Sequence, residues 1–162
     1  MQSVGVIGRY AIGGAVGATF YLEPSATVDL DIFVEVQQSP ESSLVTLAPI
    51  YEHLKKEGYD VSGEYIVIAD WPVQFLVPAS RLELEAVAEA VLTEVEGIST
   101  RVMTAEHLVA MALNTGRTKD HNRILQFLEL KRVSMEKLMA ILDKYSLISK
   151  WNLFERRYLY GE

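Results

Sequence analysis

Between residues 27 and 36 apolar and polar side chains alternate almost without a break. Val28, Leu30, Ile32, Val34 and Val36 fall on one face, and Asp29, Asp31, Phe33 and Glu35 on the other. A period of two is that of a half-buried strand. Upstream, 10–13 is a short apolar run halted by Gly13-Gly14. The small-residue segment 15–22 then reads as a helix, closed by Glu23-Pro24-Ser25. Across 43–57, Leu44, Leu47, Ile50, Tyr51 and Leu54 recur at helical spacing until Gly58. The runs 65–69 and 73–77, on either side of Asp70-Trp71-Pro72, predict a hairpin that Pro78 closes. A helix over 82–92 and a strand over 98–103 follow.

From residue 104 the pattern is helical throughout. Thr104 and Glu106 open a helix through Asn114, with Gly116 as its stop. Thr118 is placed to cap the next, over 119–131, and Ser134 starts another. The last helix spans 147–160, where Leu147, Trp151, Phe154 and Tyr158 form an aromatic-rich stripe opposite Lys150, Glu155 and Arg156. That stripe either docks on the chain's own helices or faces a second subunit or a cognate partner protein. The expected class is therefore α/β (α+β). An α/β core over 1–103 carries a helical part over 104–162 packed upon it.

Composition narrows the chemistry. With 162 residues and 49% apolar content the chain can bury a proper core. It has no cysteine, which removes disulfides, thiolate zinc sites and cysteine nucleophiles together. His53, His107 and His121 lack metal-ligand spacing and read as packing or surface residues. The formal net charge of −7 opposes non-specific coating of nucleic acid, so any local basic patch carries more meaning. No window reaches the ~18 consecutive apolar residues of a membrane span. The first residues lack a signal peptide's basic start and apolar core. A cytoplasmic protein without membrane contact is expected.

Asp29 and Asp31 are the leading chemical candidates. Two residues apart on one strand, their carboxylates leave the same face, about 6–7 Å apart at the backbone. Strand stability does not call for them, because aspartate is a poor strand former. Carboxylates this close repel unless a cation sits between them. A hard divalent ion, Mg²⁺ or Mn²⁺, fits, with phosphate oxygens and water completing its shell. Gly13-Gly14, at a strand-to-helix junction, lets backbone N–H groups approach a phosphate. The alternatives are an exposed acidic face and a tight-packing turn.

Together, Tyr10-Ala11-Ile12-Gly13-Gly14-Ala15 and Thr27-Val28-Asp29-Leu30-Asp31-Ile32-Phe33-Val34 resemble the signature of the minimal nucleotidyltransferase superfamily, of DNA-polymerase-β-like fold. The chain looks most like its bacterial abortive-infection and toxin–antitoxin members, over roughly residues 10–125. The resemblance implies a mixed sheet flanked by helices and a nucleoside triphosphate as substrate. It further implies Gly13 and Gly14 at the phosphates and Asp29 and Asp31 on the metal.

Two departures temper what it implies for activity. Relatives place a third acid on a later strand, where this chain has Gln74. Glutamine offers a carbonyl oxygen but cannot take a proton. Asp70 and Glu35 are alternative acids. A helix lysine expected near 111–112 is replaced by Met111 and Ala112. The turn Gly116-Arg117-Thr118-Lys119-Asp120-His121-Asn122-Arg123 resembles the relatives' basic-plus-acid turn. Arg117, Lys119 and Arg123 can form a phosphate clamp there, oriented by Asp120; the alternative is a solvated helix start. Two functions stay open: transfer of a nucleoside monophosphate to a hydroxyl on RNA, protein or small molecule, or nucleotide or protein binding without turnover.

Overall fold

The alternating segment becomes an inner strand of a seven-stranded mixed sheet. A computed structural model describes residues 1–24, 27, 29–36 and 46–161. Its strands are β1 (Tyr10–Ile12), β2 (Leu30–Val34), β3 (Asp60–Ser62), β4 (Tyr65–Ile68), β5 (Trp71–Leu76), β6 (Val91–Val95) and β7 (Ile98–Val102). They lie in the order β3-β4-β5-β2-β1-β7-β6. β2 runs antiparallel to β1 and parallel to β5, in a register that sets Asp31 beside Gln74. Val28, the first apolar position of the alternating run, lies outside the described residues.

Among the described residues, seven α-helices cover the two faces unequally. They are α1 (Gly14–Ala18), α2 (Ala48–Lys56), α3 (Arg81–Ala88), α4 (Ala105–Thr115), α5 (Thr118–Glu129), α6 (Met135–Lys144) and α7 (Ile148–Glu155). On one face, Ile50 and Leu54 of α2 pack with Val34, Ile66, Val73 and Phe75. On the other, Ala11, Phe33 and Met103 meet the apolar sides of α4 to α7. Phe33 and Val34 are therefore both buried, although they point opposite ways. At its Phe33–Val34 end β2 is covered on both faces, beyond the half-buried strand expected, while Leu30, Asp31 and Ile32 stay partly exposed.

Other expectations shift for local reasons. The helix read over 15–22 shortens to α1, one and a half turns long. The helix read over 43–57 is described from Ala48, its first residues 43–45 lying outside the described ones. The hairpin forms with Ala69 and Asp70 alone as its loop, both at positive φ, so Trp71 and Pro72 enter the strand. The helix over 82–92 stops at Ala88, because Val91, Thr93 and Val95 join β6 and turn back through Glu96 and Gly97. β3, which no sequence pattern disclosed, pairs with β4 across the two-residue turn Gly63-Glu64.

In the helical part, Thr104 and Ser134 cap as expected and Gly116 closes α4 in the left-handed region. Thr118 does not cap. Arg117 holds that position, and its N–H donates to the Asp120 carboxylate at 3.3 Å. The final helix ends at Glu155 and continues as a π-helical turn, Arg156–Tyr160. Leu147, Trp151 and Phe154 are buried against the chain's own helices. Of the two readings of this stripe, docking on the chain's own helices accounts for these three side chains, while Tyr158 is only partly buried.

Away from the acidic strand, α3, α4 and α6 meet around a polar cluster. Glu85 accepts hydrogen bonds from Lys144 and from the Tyr145 hydroxyl (2.8 Å), and faces His107 Nε2 at 3.4 Å. Thr104 Oγ1 lies 2.8 Å from His107 Nδ1. Burial pushes His107 below the usual imidazole range, a shift its acidic neighbours only partly offset. Burial also pulls Glu85 upward, but the bonds from Lys144, Tyr145 and His107 outweigh it and hold the carboxyl low. A depressed histidine resists protonation in the folded state, and a depressed carboxyl stabilises only while ionised. Both contributions are therefore complete near neutrality and are lost as pH falls, His107 first. Thermal unfolding at pH 7, 6 and 5 should show a falling midpoint, and His107→Gln should flatten the upper part of that fall.

Candidate functional site

The site begins where β1 runs into α1. Gly13 is extended, and a methyl group there would meet the Phe33 ring at 2.9 Å and the Met103 sulfur at 3.1 Å. Its N–H donates to the Asp31 carbonyl at 3.0 Å. Gly13 thus sets the approach of two backbones, and its own donor is already used. Gly14 sits at φ +59°, and a side chain on it would overlap the Asp31 carboxylate. The acidic strand and the glycine pair are thus in direct contact. With only five residues, α1 brings local first-turn N–H groups rather than a long summed dipole.

Asp31 is held there at some electrostatic cost. Burial, and then the neighbouring charge of Asp29, push its carboxyl above the usual range, while Arg117, Lys119 and Arg123 pull it back. Asp29 is steadied from its own strand end: the Thr27 hydroxyl lies 3.2 Å from its carbonyl and 3.4 Å from Oδ1. Both acids line a cavity of about 570 Å³ with Ala15, Tyr65 and Gln74 on the sheet side. Arg117, Lys119, Asn122, Arg123 and Gln126 complete its wall.

Those residues come from the start of α5, organised by one buried acid. Asp120 is 1% exposed and binds Arg117 at 2.7 and 3.2 Å, with Arg123 at 3.6 Å. Burial would raise the Asp120 carboxyl, but the Arg117 hydrogen bonds and charge and the Arg123 charge keep it low. Burial likewise lowers Arg123 from the usual guanidinium value. One carboxylate thus serves two guanidinium groups and leaves them with donors to spare.

The placement of the expected residues is now explicit. Asp29, Asp31, Gln74, Arg117, Lys119 and Arg123 line one cavity, Gly14 touches it through Asp31, Gly13 lies behind, and Asp120 lies beneath the clamp. Met111 and Ala112 line an adjoining cavity of about 210 Å³ beside Gly14 and Asp31. The helix α4 therefore reaches the site but brings no cation there. Glu35 is remote from this chemistry, since Arg9 holds it at 2.8 and 2.9 Å. Asp70 occupies the β4–β5 turn. Sequence reasoning missed Tyr65, Asn122 and Gln126, although 119, 122, 123 and 126 do mark one helical face. It also missed Glu64, whose Oε2 accepts from Gln74 Nε2 at 3.4 Å.

The acid pair suits a hard cation. Among the described residues, no group of three or more His, Cys, Asp or Glu side chains could hold a metal alone. A Mg²⁺ bound by Asp29 and Asp31 would thus draw its other oxygens from phosphate and water, the usual habit of that ion.

By sequence the chain matches no protein-family model and no curated protein. By structure it is similar to an antigenic nucleotidyltransferase-like protein from Paracoccidioides brasiliensis. That match has a TM-score of 0.56 at 16% identity and covers 87% of this chain and 83% of that one. It is also similar to the antibiotic-resistance factor ANT(2'')-Ia, with a TM-score of 0.49, 16% identity and coverage of 94% and 89%. The chain has a nucleotidyltransferase-type fold. No helix among its described residues is long and apolar enough to cross a membrane.

The contact between Gly14 and Asp31 gives a sharp test. Gly14→Ala must strain a positive-φ position and displace the carboxylate. It should cost roughly 1–3 kcal/mol in chemical denaturation and abolish Mg²⁺–nucleotide binding measured by calorimetry. Gly58→Ala, also at positive φ but with open space around it, should cost stability without affecting binding.

Proposed function

We propose that the protein binds a nucleoside triphosphate with a divalent cation and transfers the nucleoside monophosphate to a hydroxyl acceptor. The observation that carries this reading is the cavity itself, with two carboxylates on its sheet wall and Arg117, Lys119 and Arg123 on its helical wall. A triphosphate needs both at once: oxygen ligands for its metal, and cations for the phosphate charge that the metal leaves uncompensated.

In this reading Asp29 and Asp31 hold Mg²⁺, which when bound neutralises the triphosphate and polarises the phosphoryl oxygens. The Arg117 and Arg123 forks, steadied by Asp120, meet phosphate oxygens as charge-assisted donors, and Lys119 adds a mobile point charge. The Gly14 turn brings backbone close to the ligand without a side chain in the way. The 1–103 unit supplies the metal strand, and the 104–162 unit supplies the clamp. Because the Asp31 carboxyl is raised, protons compete with the cation, and affinity for Mg²⁺–nucleotide falls as pH is lowered.

Gln74 favours a second reading, a nucleotide-binding module without turnover, since an amide cannot accept the acceptor's proton. The toxin–antitoxin role, bacterial origin and cytoplasmic location implied by resemblance belong with the first reading; RNA, protein and small molecules are its candidate acceptors. Incubation with α-labelled triphosphates, Mg²⁺ and fractionated cell RNA, protein and metabolites separates the two. Transfer that drops by at least ~10²-fold in Asp29→Asn and Asp31→Asn is expected. Nucleotide binding without any labelled product would establish the second reading, and transfer unchanged in both variants would overturn the site.

A further inference from the structure

Transfer to a hydroxyl requires a group that takes the proton, and the cavity holds few acids free to do so. Asp29 and Asp31 are assigned to the cation. Asp120 lies buried beneath two guanidinium groups, and Glu35 is paired with Arg9. Asp70 sits in the β4–β5 turn, at the opposite end of that hairpin from the Tyr65–Gln74 pair. Glu83 lines the adjoining cavity beside Asp31, but its Oε2 accepts from the backbone N–H groups of Ala79 and Ser80 at the start of α3. Among the described residues, Glu64, in the two-residue turn between β3 and β4, is hydrogen-bonded to a residue of the site wall, Gln74.

Three observations place Glu64 at the acceptor's entrance. Tyr65, the next residue, pairs in register with Gln74, which in turn pairs with Asp31, so the turn lies two strands from the metal pair. Gln74 Nε2 donates to Glu64 Oε2, leaving Oε1 of the same carboxylate to accept a proton. Tyr65 and Asp29 are shared with a second cavity of about 340 Å³, otherwise lined by Ser62, Val67 and Pro72. That recess contains no cation, unlike the helical wall. It therefore suits the hydroxyl compound rather than the triphosphate, and it lies against Tyr65, the chain neighbour of an exposed Glu64 that a molecule arriving from solvent can reach.

We propose that Glu64 is the catalytic base, taking over from the neutral Gln74; this rests on the transferase reading above. The acceptor O–H gives its proton to Glu64. The oxygen forms a bond to the α-phosphorus as the bond from that phosphorus to the bridging oxygen breaks. Pyrophosphate departs with the electron pair, and Glu64 later releases the proton to water. Gln74 keeps the carboxylate against the sheet.

The test uses the full chain with the same labelled triphosphates and whichever fraction accepts label. Glu64→Gln should lower the transfer rate by about 10²–10⁴-fold while changing the calorimetric dissociation constant for Mg²⁺–nucleotide by less than about two-fold. Asp70→Asn should leave the rate unchanged. Adding Gln74→Asp to Glu64→Gln should recover part of the rate, because it restores a carboxylate beside Asp31. A Glu64→Gln protein that transfers normally, or that loses rate only in step with nucleotide affinity, would overturn the assignment while leaving the transferase reading intact. A wild-type chain that binds nucleotide and transfers nothing would overturn both.

Discussion

The contact between Asp31 and Gly14 is the constraint on which the site depends. An aspartate inside a sheet covered on both faces is unfavourable, and Asp29 beside it adds repulsion. The carboxylate is tolerated because the glycine turn leaves room for it and because three cations lie across the cavity. Gly14 adopts a backbone conformation that other residues resist, and the space it leaves is filled by Asp31. Gly13 fixes the other side of the same junction by bonding the Asp31 carbonyl. Local backbone geometry, core packing and electrostatics thus converge on a few residues.

Charge is segregated across that cavity in a chain that is acidic overall. The net charge of −7 keeps the general field unfavourable to phosphate, yet the start of α5 concentrates Arg117, Lys119 and Arg123 on one wall. Asp120 makes this concentration possible. Like charges so close would repel, and a buried acid hydrogen-bonded to Arg117 and ion-paired with Arg123 offsets the repulsion. The opposite side, along β3 to β5, presents the uncharged residues Ser62, Tyr65, Val67, Pro72 and Gln74. In the proposed transferase reading, such a division would separate a polyanionic substrate from a hydroxyl partner without a separate lid.

Much of this was legible in the sequence, and the parts that were not share a cause. The alternation at 27–36 revealed β2 and its acids because period two is a local property. The caps at Thr104, Ser134 and Gly116 were readable for the same reason. Phe33 was assigned to a wet face because alternation cannot tell whether a helix covers the polar side. β3 is only three residues long, and β6 is exposed at the sheet edge, so neither has an apolar run of its own. The aromatic stripe of α7 was legible as a stripe, but its destination depended on how α4 to α7 pack together. Glu64 was invisible for a related reason: its proposed role runs through its contact with Gln74, ten residues away, and no spacing rule links the two.

The central claim is that a cation-bound triphosphate lies between the acidic strand and the start of α5. It is tested most directly by paramagnetic relaxation in the ¹⁵N-labelled protein, using Mn²⁺ with a non-hydrolysable nucleoside triphosphate. The account predicts selective broadening of amide signals from Gly14, Ala15, Asp31, Gln74 and the 117–123 segment, with the β6–β7 hairpin and α6 unaffected. Broadening centred elsewhere, or none at nucleotide concentrations that saturate known nucleotidyltransferases, would contradict it.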